Sequence, residues 1–390
     1  MSDTSTPPEL RRRWTVAVLG YVALLGVLTQ LRGALLPSFA DAYPVSEAEL
    51  GLVSTAGSIG FLLAVLVAGS VVGRVDVRRG LLLALLALGA CLALVSAAPT
   101  YVALLVGLAI LGLSTGVLHG FDRPILSHLH PDSRGRTFNL QDMVWAMGAT
   151  LGPVLALAAV EFADWRAAYL LAGVATLPLA VLVYRLDLPA SVDAEQDLSL
   201  SEVVSLVRHP TVAWLAAAML LLSFVEGGFF TWLPYYASDI FGRRAGTLSL
   251  AAYLAAYVPA RYGFSRLADR VPNLDLVLGA ALLATVMLAV AFVFARGAAI
   301  FVAIVAVGFL VAGMFPTLLA RGTNEMPEFS GPMNAVALGS SSLGFLTFPA
   351  TMGVVAEVYS IDTAMRLLIP VMLAFAVLVA VVRARNGAAA

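Results

Sequence analysis

Lysine is absent from the 390 residues; all 23 basic side chains are arginine. Cysteine occurs once, at Cys91 inside an apolar run, which rules out an internal disulfide and leaves that thiol as a small hydrophobe. Charge is scarce as well, with 12% charged residues, four histidines and a formal net charge of -1. No basic domain offers itself to nucleic acid, and no Walker-type phosphate loop supports ATP-driven pumping. Hydrocarbon takes the place of charge: 61% of residues are hydrophobic and the mean hydropathy is +0.93, more than a water-soluble core of this size requires. The bilayer is therefore part of the fold.

Apolar runs of about 20 residues suffice to cross the hydrocarbon layer. They occur at 14–39, 48–72, 80–97, 101–129, 138–160 and 167–184, and resume at 211–237, 245–262, 276–294, 298–320, 333–355 and 363–382. Unpaired backbone amides are too costly in lipid for anything but helices or barrel strands, and the runs lack period-2 alternation. The sequence thus predicts an all-α membrane protein of twelve transmembrane helices, numbered 1 to 12 in chain order. Arg11-Arg12-Arg13 ahead of the first run resembles the start of a secretion signal, but the run is too long for a signal core and is read as helix 1.

Shifting the chain by 196 residues lays Gly112 on Gly308, Pro131 on Pro327, Gly135 on Gly331, Gly148 on Gly344 and Pro153 on Pro349 without a gap. Glycine and proline mark special backbone paths, so the halves are read as a tandem duplication, two pseudo-symmetric six-helix bundles. The expected division is a first bundle at 1–184, a cytoplasmic linker at 185–210 whose Leu198–Val207 part reads as a short amphipathic helix, and a second bundle at 211–390. Twelve spans place both termini on one side. Fifteen arginines fall there (11–13, 74, 78, 79, 134, 136, 185, 208, 266, 270, 321, 383 and 385) against five opposite (166, 243, 244, 296 and 366), which predicts cytoplasmic termini in the cell membrane.

Two loops carry a family resemblance. Gly69-Ser-Val-Val-Gly73-Arg74 with Arg78-Arg79 follows helix 2, and Ser265-Arg-Leu-Ala-Asp269-Arg270 follows helix 8 at the same repeat position. Together they resemble the G-x-L-a-D-R-x-G-R-R loop of the major facilitator superfamily, split between the halves: the first copy has Gly73 where the Asp belongs, the second opens on Ser265. Pro131-Asp-Ser-Arg134-Gly135-Arg136 also resembles that superfamily, whereas Leu108 stands where its helix 4 arginine would align. The resemblance implies two bundles around a central cavity opening alternately to each side, a small-molecule substrate, a coupling proton or counter-solute, a monomer, and no cofactor, metal or enzymatic activity.

Ionisable groups inside the spans are costly and point to function. Gln30 and Arg32 of helix 1 and Glu226 of helix 7, the repeat partner of Gln30, are candidates for substrate binding or a gate ion pair, with a structural pair as the alternative. Arg261 of helix 8 is a candidate anion site or a structural contact. Phe229 and Trp232 in the aromatic stretch of helix 7 are cavity candidates or packing anchors. His119, Asp122 and Arg123 share a face of helix 4, and Asp142 begins helix 5; their repeat partners Phe315, Leu318, Leu319 and Leu338 are apolar. That one-sided cluster and Glu226 suit proton coupling, a structural clamp of helices 4 and 5 being the other reading. Gly148, Gly152 and Pro153 in helix 5, Pro316 in helix 10, and Gly344 and Pro349 in helix 11 are read as bends for rocking or as close-packing sites; Gly148-to-Pro153 resembles the superfamily's antiporter motif.

The resulting expectation is a secondary active transporter of a small organic solute, polar or anionic, coupled to protons. An efflux antiporter of amphipathic compounds is the alternative. A non-transporting receptor or scaffold is a third reading, disfavoured by the short tails.

Overall fold

The computed structural model describes residues 7–72, 76–187, 208–268, 270–326 and 330–388. All regular elements among them are helical. Helix 1 is Pro8–Ala34 continued past Leu35 by Leu36–Ala42, and helices 2 to 6 are Glu47–Val72, Val77–Ser96, Tyr101–Leu129, Arg134–Phe162 and Trp165–Tyr184. Helix 7 is Pro210–Phe241. Helix 8 is two pieces, Arg243–Ala255 and Tyr257–Ala268, and helix 9 is Asn273–Ala289 extended by the π-turn Val290–Phe294. Helix 10 is Ala298–Val311 and Met314–Glu325, helix 11 Ser330–Val358, and helix 12 Ile361–Arg366 and Leu368–Ala388. The amphipathic segment 198–207 lies outside the described residues.

Among the described residues, eleven helices are long and apolar enough to cross a membrane. Helix 8 completes the twelve expected from the sequence; its break at Ala256 leaves two pieces that are each too short to count alone. Local chemistry sets the helix starts. Side chains of Asp76, Thr100, Asp164 and Ser360 accept from Arg79, Ala103, Arg166 and Thr363 N–H groups, supplying partners that the first turn of a helix lacks. Gly242, at φ 84°, turns helix 7 into helix 8.

Contacts divide the chain into two compact units, one formed by Met1–Ser38 with Ala56–Asp197, the other by Phe39–Thr55 with Leu198–Ala390. Glycines dictate the pairing in the first. A methyl group on Gly26 would stand 2.2 Å from the Trp145 carbonyl, and one on Gly148 would stand 2.0 Å from that of Ala23, so helices 1 and 5 touch backbone to backbone. Gly60 and Gly112 do the same for helices 2 and 4, at 1.8 Å from Ala109 O and 2.0 Å from Gly57 O. Gly89 seats Thr176 and Gly173 seats Leu92, joining helices 3 and 6.

The second unit repeats this scheme with helices 7 and 11, 8 and 10, and 9 and 12. Gly344 meets Ser223 and the Leu220 carbonyl, Gly308 meets the Tyr253 carbonyl at 2.6 Å, and Arg383 pairs with Asp275. Gly112 faces Gly57 in one unit and Gly308 faces Tyr253 in the other; both members of the contact are separated by the same 196 residues. The duplication read from the sequence is thus present in the packing.

Residues 39–55 bind to helices 7, 8 and 11 of the second unit. Pro349 has no N–H, which leaves the Phe345 carbonyl without its helical partner, and Ser54 Oγ donates to it at 3.4 Å while Thr55 Oγ1 donates to Leu346 O at 2.7 Å. Gly51 lies against Pro349 and Ala350, Gly353 against Glu47 and Ala48, and Arg243 pairs with Asp41. Outward side chains such as Leu83, Leu94, Val102 and Val302 are large, apolar and exposed, as lipid-facing positions should be.

Candidate functional sites

Three polar groups stand out within otherwise apolar bundles. The first is on helix 1. Gln30 is fully buried and neither atom of its amide has a hydrogen-bond partner among the described residues. Gly152 of helix 5 makes room for it, since a methyl group there would come 3.1 Å from Gln30 Cβ. Two residues on, the Arg32 guanidinium lies over helix 2 where Gly57 has no side chain; a methyl group at Gly57 would stand 1.9 Å from Nη1. Tyr169 of helix 6 is close enough to act on the Arg32 charge, and its hydroxyl, like that of Tyr21, is buried without a hydrogen-bond partner among the described residues. Buried polar atoms left in this state are uncommon and mark places where a polar ligand or water can bind.

The second group brings together all four residues expected from helices 4 and 5. His119 Nδ1 is 2.7 Å from Asp122 Oδ2, and Asp122 Oδ1 accepts the Arg123 N–H at 2.5 Å. Arg123 reaches Asp142 on helix 5 at 3.8 Å and lies 5.5 Å over the Phe138 ring. His119 packs against Phe61 of helix 2 with ring centroids 5.7 Å apart. Asp122 is 1% exposed while Asp142 is half exposed, so the chain of charges runs from the bundle interior toward its surface.

The third group lies in the second unit. Tyr257 Oη donates to Glu226 Oε1 at 2.9 Å and stands 3.1 Å from Tyr253 Oη. Arg261 follows one turn later, its guanidinium 5.7 Å over the Tyr257 ring and its Nε donating to Ala312 O at 3.5 Å, where the helix 10 backbone breaks. Glu226 and Arg261, expected separately from the sequence, therefore share one cluster. Tyr253 and Tyr257 were not foreseen, although 253, 257 and 261 at i, i+4 and i+8 share one helical face.

Other expected residues sit apart from these groups. Phe229 and Trp232 are fully buried: Phe229 stacks on Tyr253 at 4.6 Å, and the Trp232 indole N–H donates to Pro349 O at 2.9 Å. Both serve packing. Gly148 and Gly152 seat helix 1, Gly344 seats helix 7, and Pro316, lacking an N–H, leaves the Ala312 carbonyl without its helical partner where helix 10 is interrupted. Of the loop motif, Gly69 lies within helix 2 and Arg270 is exposed, while Arg74 and Asp269 fall outside the described residues. Arg78 donates to the last carbonyl of helix 6, Tyr184 O, and covers the Tyr184 ring. Among the described residues no three His, Cys, Asp or Glu side chains could together hold a metal ion.

Duplicated helical bundles with ionisable groups held inside membrane-spanning helices define a multi-pass membrane transporter and not an enzyme. The chain belongs to the Major Facilitator Superfamily, whose sequence profile matches residues 18–337. Over 374 residues it is 23% identical to the Protein TsgA homolog of Edwardsiella ictaluri, covering 92% of this chain and 90% of that one. Among solved structures it is similar to the nucleoside transporter NupG, with a TM-score of 0.80 at 12% identity over 95% of this chain and 99% of that one. The E. coli fucose:proton symporter FucP gives a TM-score of 0.64 at 19% identity over 94% and 98%. At these identities the structural likeness concerns the fold.

Proposed function

We propose that the protein is a proton-coupled secondary transporter of a small polar or anionic organic solute, acting by alternating access in the cell membrane with both termini cytoplasmic. The observation that carries this reading is the set of polar groups held inside each bundle: Arg32 and the unpartnered Gln30 amide in the first unit, Arg261 beside Glu226 in the second. A hydrophobic cargo would have no use for these groups, which cost at least about 2.5 kcal/mol each at the bilayer centre. The proton route is assigned to His119–Asp122 and to Glu226, because a buried carboxyl beside a hydrogen-bond donor can exchange one proton per cycle. The fold is shared with a fucose:proton symporter.

The test is a thermal-shift screen of purified protein against sugars, nucleosides, organic acids and amphipathic drugs, followed by uptake of the stabilising compound into proteoliposomes. One narrow class of polar compounds should stabilise the protein, and Arg32→Ala and Arg261→Ala should each lower its affinity at least tenfold. Stabilisation ranked by hydrophobicity, insensitive to both arginines, contradicts the proposal.

A further inference from the structure

We infer that Glu226, Tyr257 and Tyr253 form a hydrogen-bond wire that is complete only while Glu226 is ionised, and that Tyr257 carries the effect of protonation into helix 8. The inference rests on the proposed proton coupling and names the residues through which it would act in the second unit. Each phenol has one hydrogen, and a carboxylate can only accept. With Glu226 ionised, Tyr257 must therefore donate to Glu226 at 2.9 Å, and the 3.1 Å contact requires Tyr253 to donate to Tyr257. Every hydrogen in the wire then has an acceptor.

Adding a proton to Glu226 turns the carboxyl into a donor. If it donates to Tyr257, that hydroxyl must rotate toward Tyr253, and Tyr253 is left with a hydrogen and no acceptor: it is fully buried, and Tyr257 is its hydrogen-bond partner among the described residues. No hydroxyl ionises; the hydrogens only turn. A buried donor without a partner is costly, and three hydrogens on two contacts strand one donor whichever way the hydroxyls turn.

The position of the wire gives that stranded donor a consequence. Tyr253 and Tyr257 stand one turn apart on helix 8, on either side of Ala256, where the backbone stays helical and bonds Ala252 and Ala260. One turn beyond, Arg261 holds Ala312 O, and Phe264 fills the space at Gly313, the corresponding interruption of helix 10. The stranded donor thereby bears on a helix that Arg261 and Phe264 link to the interruption of helix 10. The titratable and charged groups facing Glu226 among the described residues are Tyr253, Tyr257 and Arg261, all on helix 8. Beside it, at Gly227 and Gly228, helix 11 presents Phe345, Pro349 and Met352 and helix 12 presents Leu368, none of them ionisable.

Infrared difference spectra of the purified protein, titrated with acid in the absence of substrate, test the wire directly. A protonated-carboxyl band should rise with a defined midpoint and be missing in Glu226→Gln. Tyr257→Phe keeps the ring but removes a donor to the carboxylate, and should move the midpoint alkaline by about one to two pH units. Tyr253→Phe removes the stranded donor and should move it in the same direction. Amide hydrogen exchange across 253–261 should rise below the midpoint in wild type and lose its pH dependence in Glu226→Gln. A midpoint unmoved by both tyrosine variants, a band that survives Glu226→Gln, or exchange at Ala256 equal on both sides of the midpoint overturns the inference. A wire that titrates as described in a protein whose transport moves no protons would instead overturn the coupling reading and leave the wire standing.

Discussion

Arg32 and Arg261 are each held against backbone: one lies over a glycine, the other donates to a carbonyl exposed by a helix break. At Gly57 the seat can be tested, because alanine there would collide with the guanidinium. Gly57→Ala should reduce solute affinity nearly as much as Arg32→Ala while leaving the melting temperature closer to wild type than a core clash would, a split readable from paired binding and thermal-denaturation curves. His130, in the connection after helix 4, offers a pH test. Its Nε2 is 2.9 Å from Thr15 Oγ1, and partial burial, with the nearby Arg11 charge adding, lowers its affinity for a proton below the ordinary value. The folded protein therefore favours the neutral ring: its contribution is complete above about pH 6.5 and falls as acid protonates the unfolded chain first. Replacing His130 by Gln should flatten that part of the stability profile between pH 7 and 5, as seen by thermal denaturation.

Helices 2 and 4, like helices 8 and 10, approach so closely that a single methyl group has no place to go. Gly112→Ala and Gly308→Ala should each destabilise the protein by about 1 to 3 kcal/mol through overpacking, with Gly279→Ala, which has open space around it, as the neutral control. The twelve spans and the repeat offset were legible because glycine positions and hydrophobic run length are local properties of the chain. The helix 4 cluster was legible for the same reason, since i, i+3 and i+4 spacing puts its members on one face. What the sequence concealed depends on which helix comes to lie opposite. Tyr253 and Tyr257 look like ordinary aromatic span residues until helix 7 places Glu226 beside them, and the partner of the Trp232 N–H, Pro349 O, is known only once helix 11 lies alongside.

At the scale of the whole molecule, repetition and its exceptions divide the labour. Backbone contacts follow the 196-residue repeat, while beyond the Gln30–Glu226 pair the polar groups do not: His119, Asp122 and Arg123 have apolar repeat partners, and the Gly57 that admits Arg32 becomes Tyr253 in the second unit. A scaffold duplicated for packing has thus received different chemistry in each half, as a cycle that handles both a solute and a proton demands. Fusing a reporter active only in the cytoplasm to either end should give signal at both, and signal at one end alone would contradict the arginine count. The most direct measurement of the central claim is the pH change inside proteoliposomes when the identified solute is added outside. The account predicts a solute-driven pH change in wild type that is abolished, with solute exchange retained, in at least one of Asp122→Asn and Glu226→Gln. Concentrative solute uptake with no accompanying pH change, or a pH change undiminished in both variants, would contradict it.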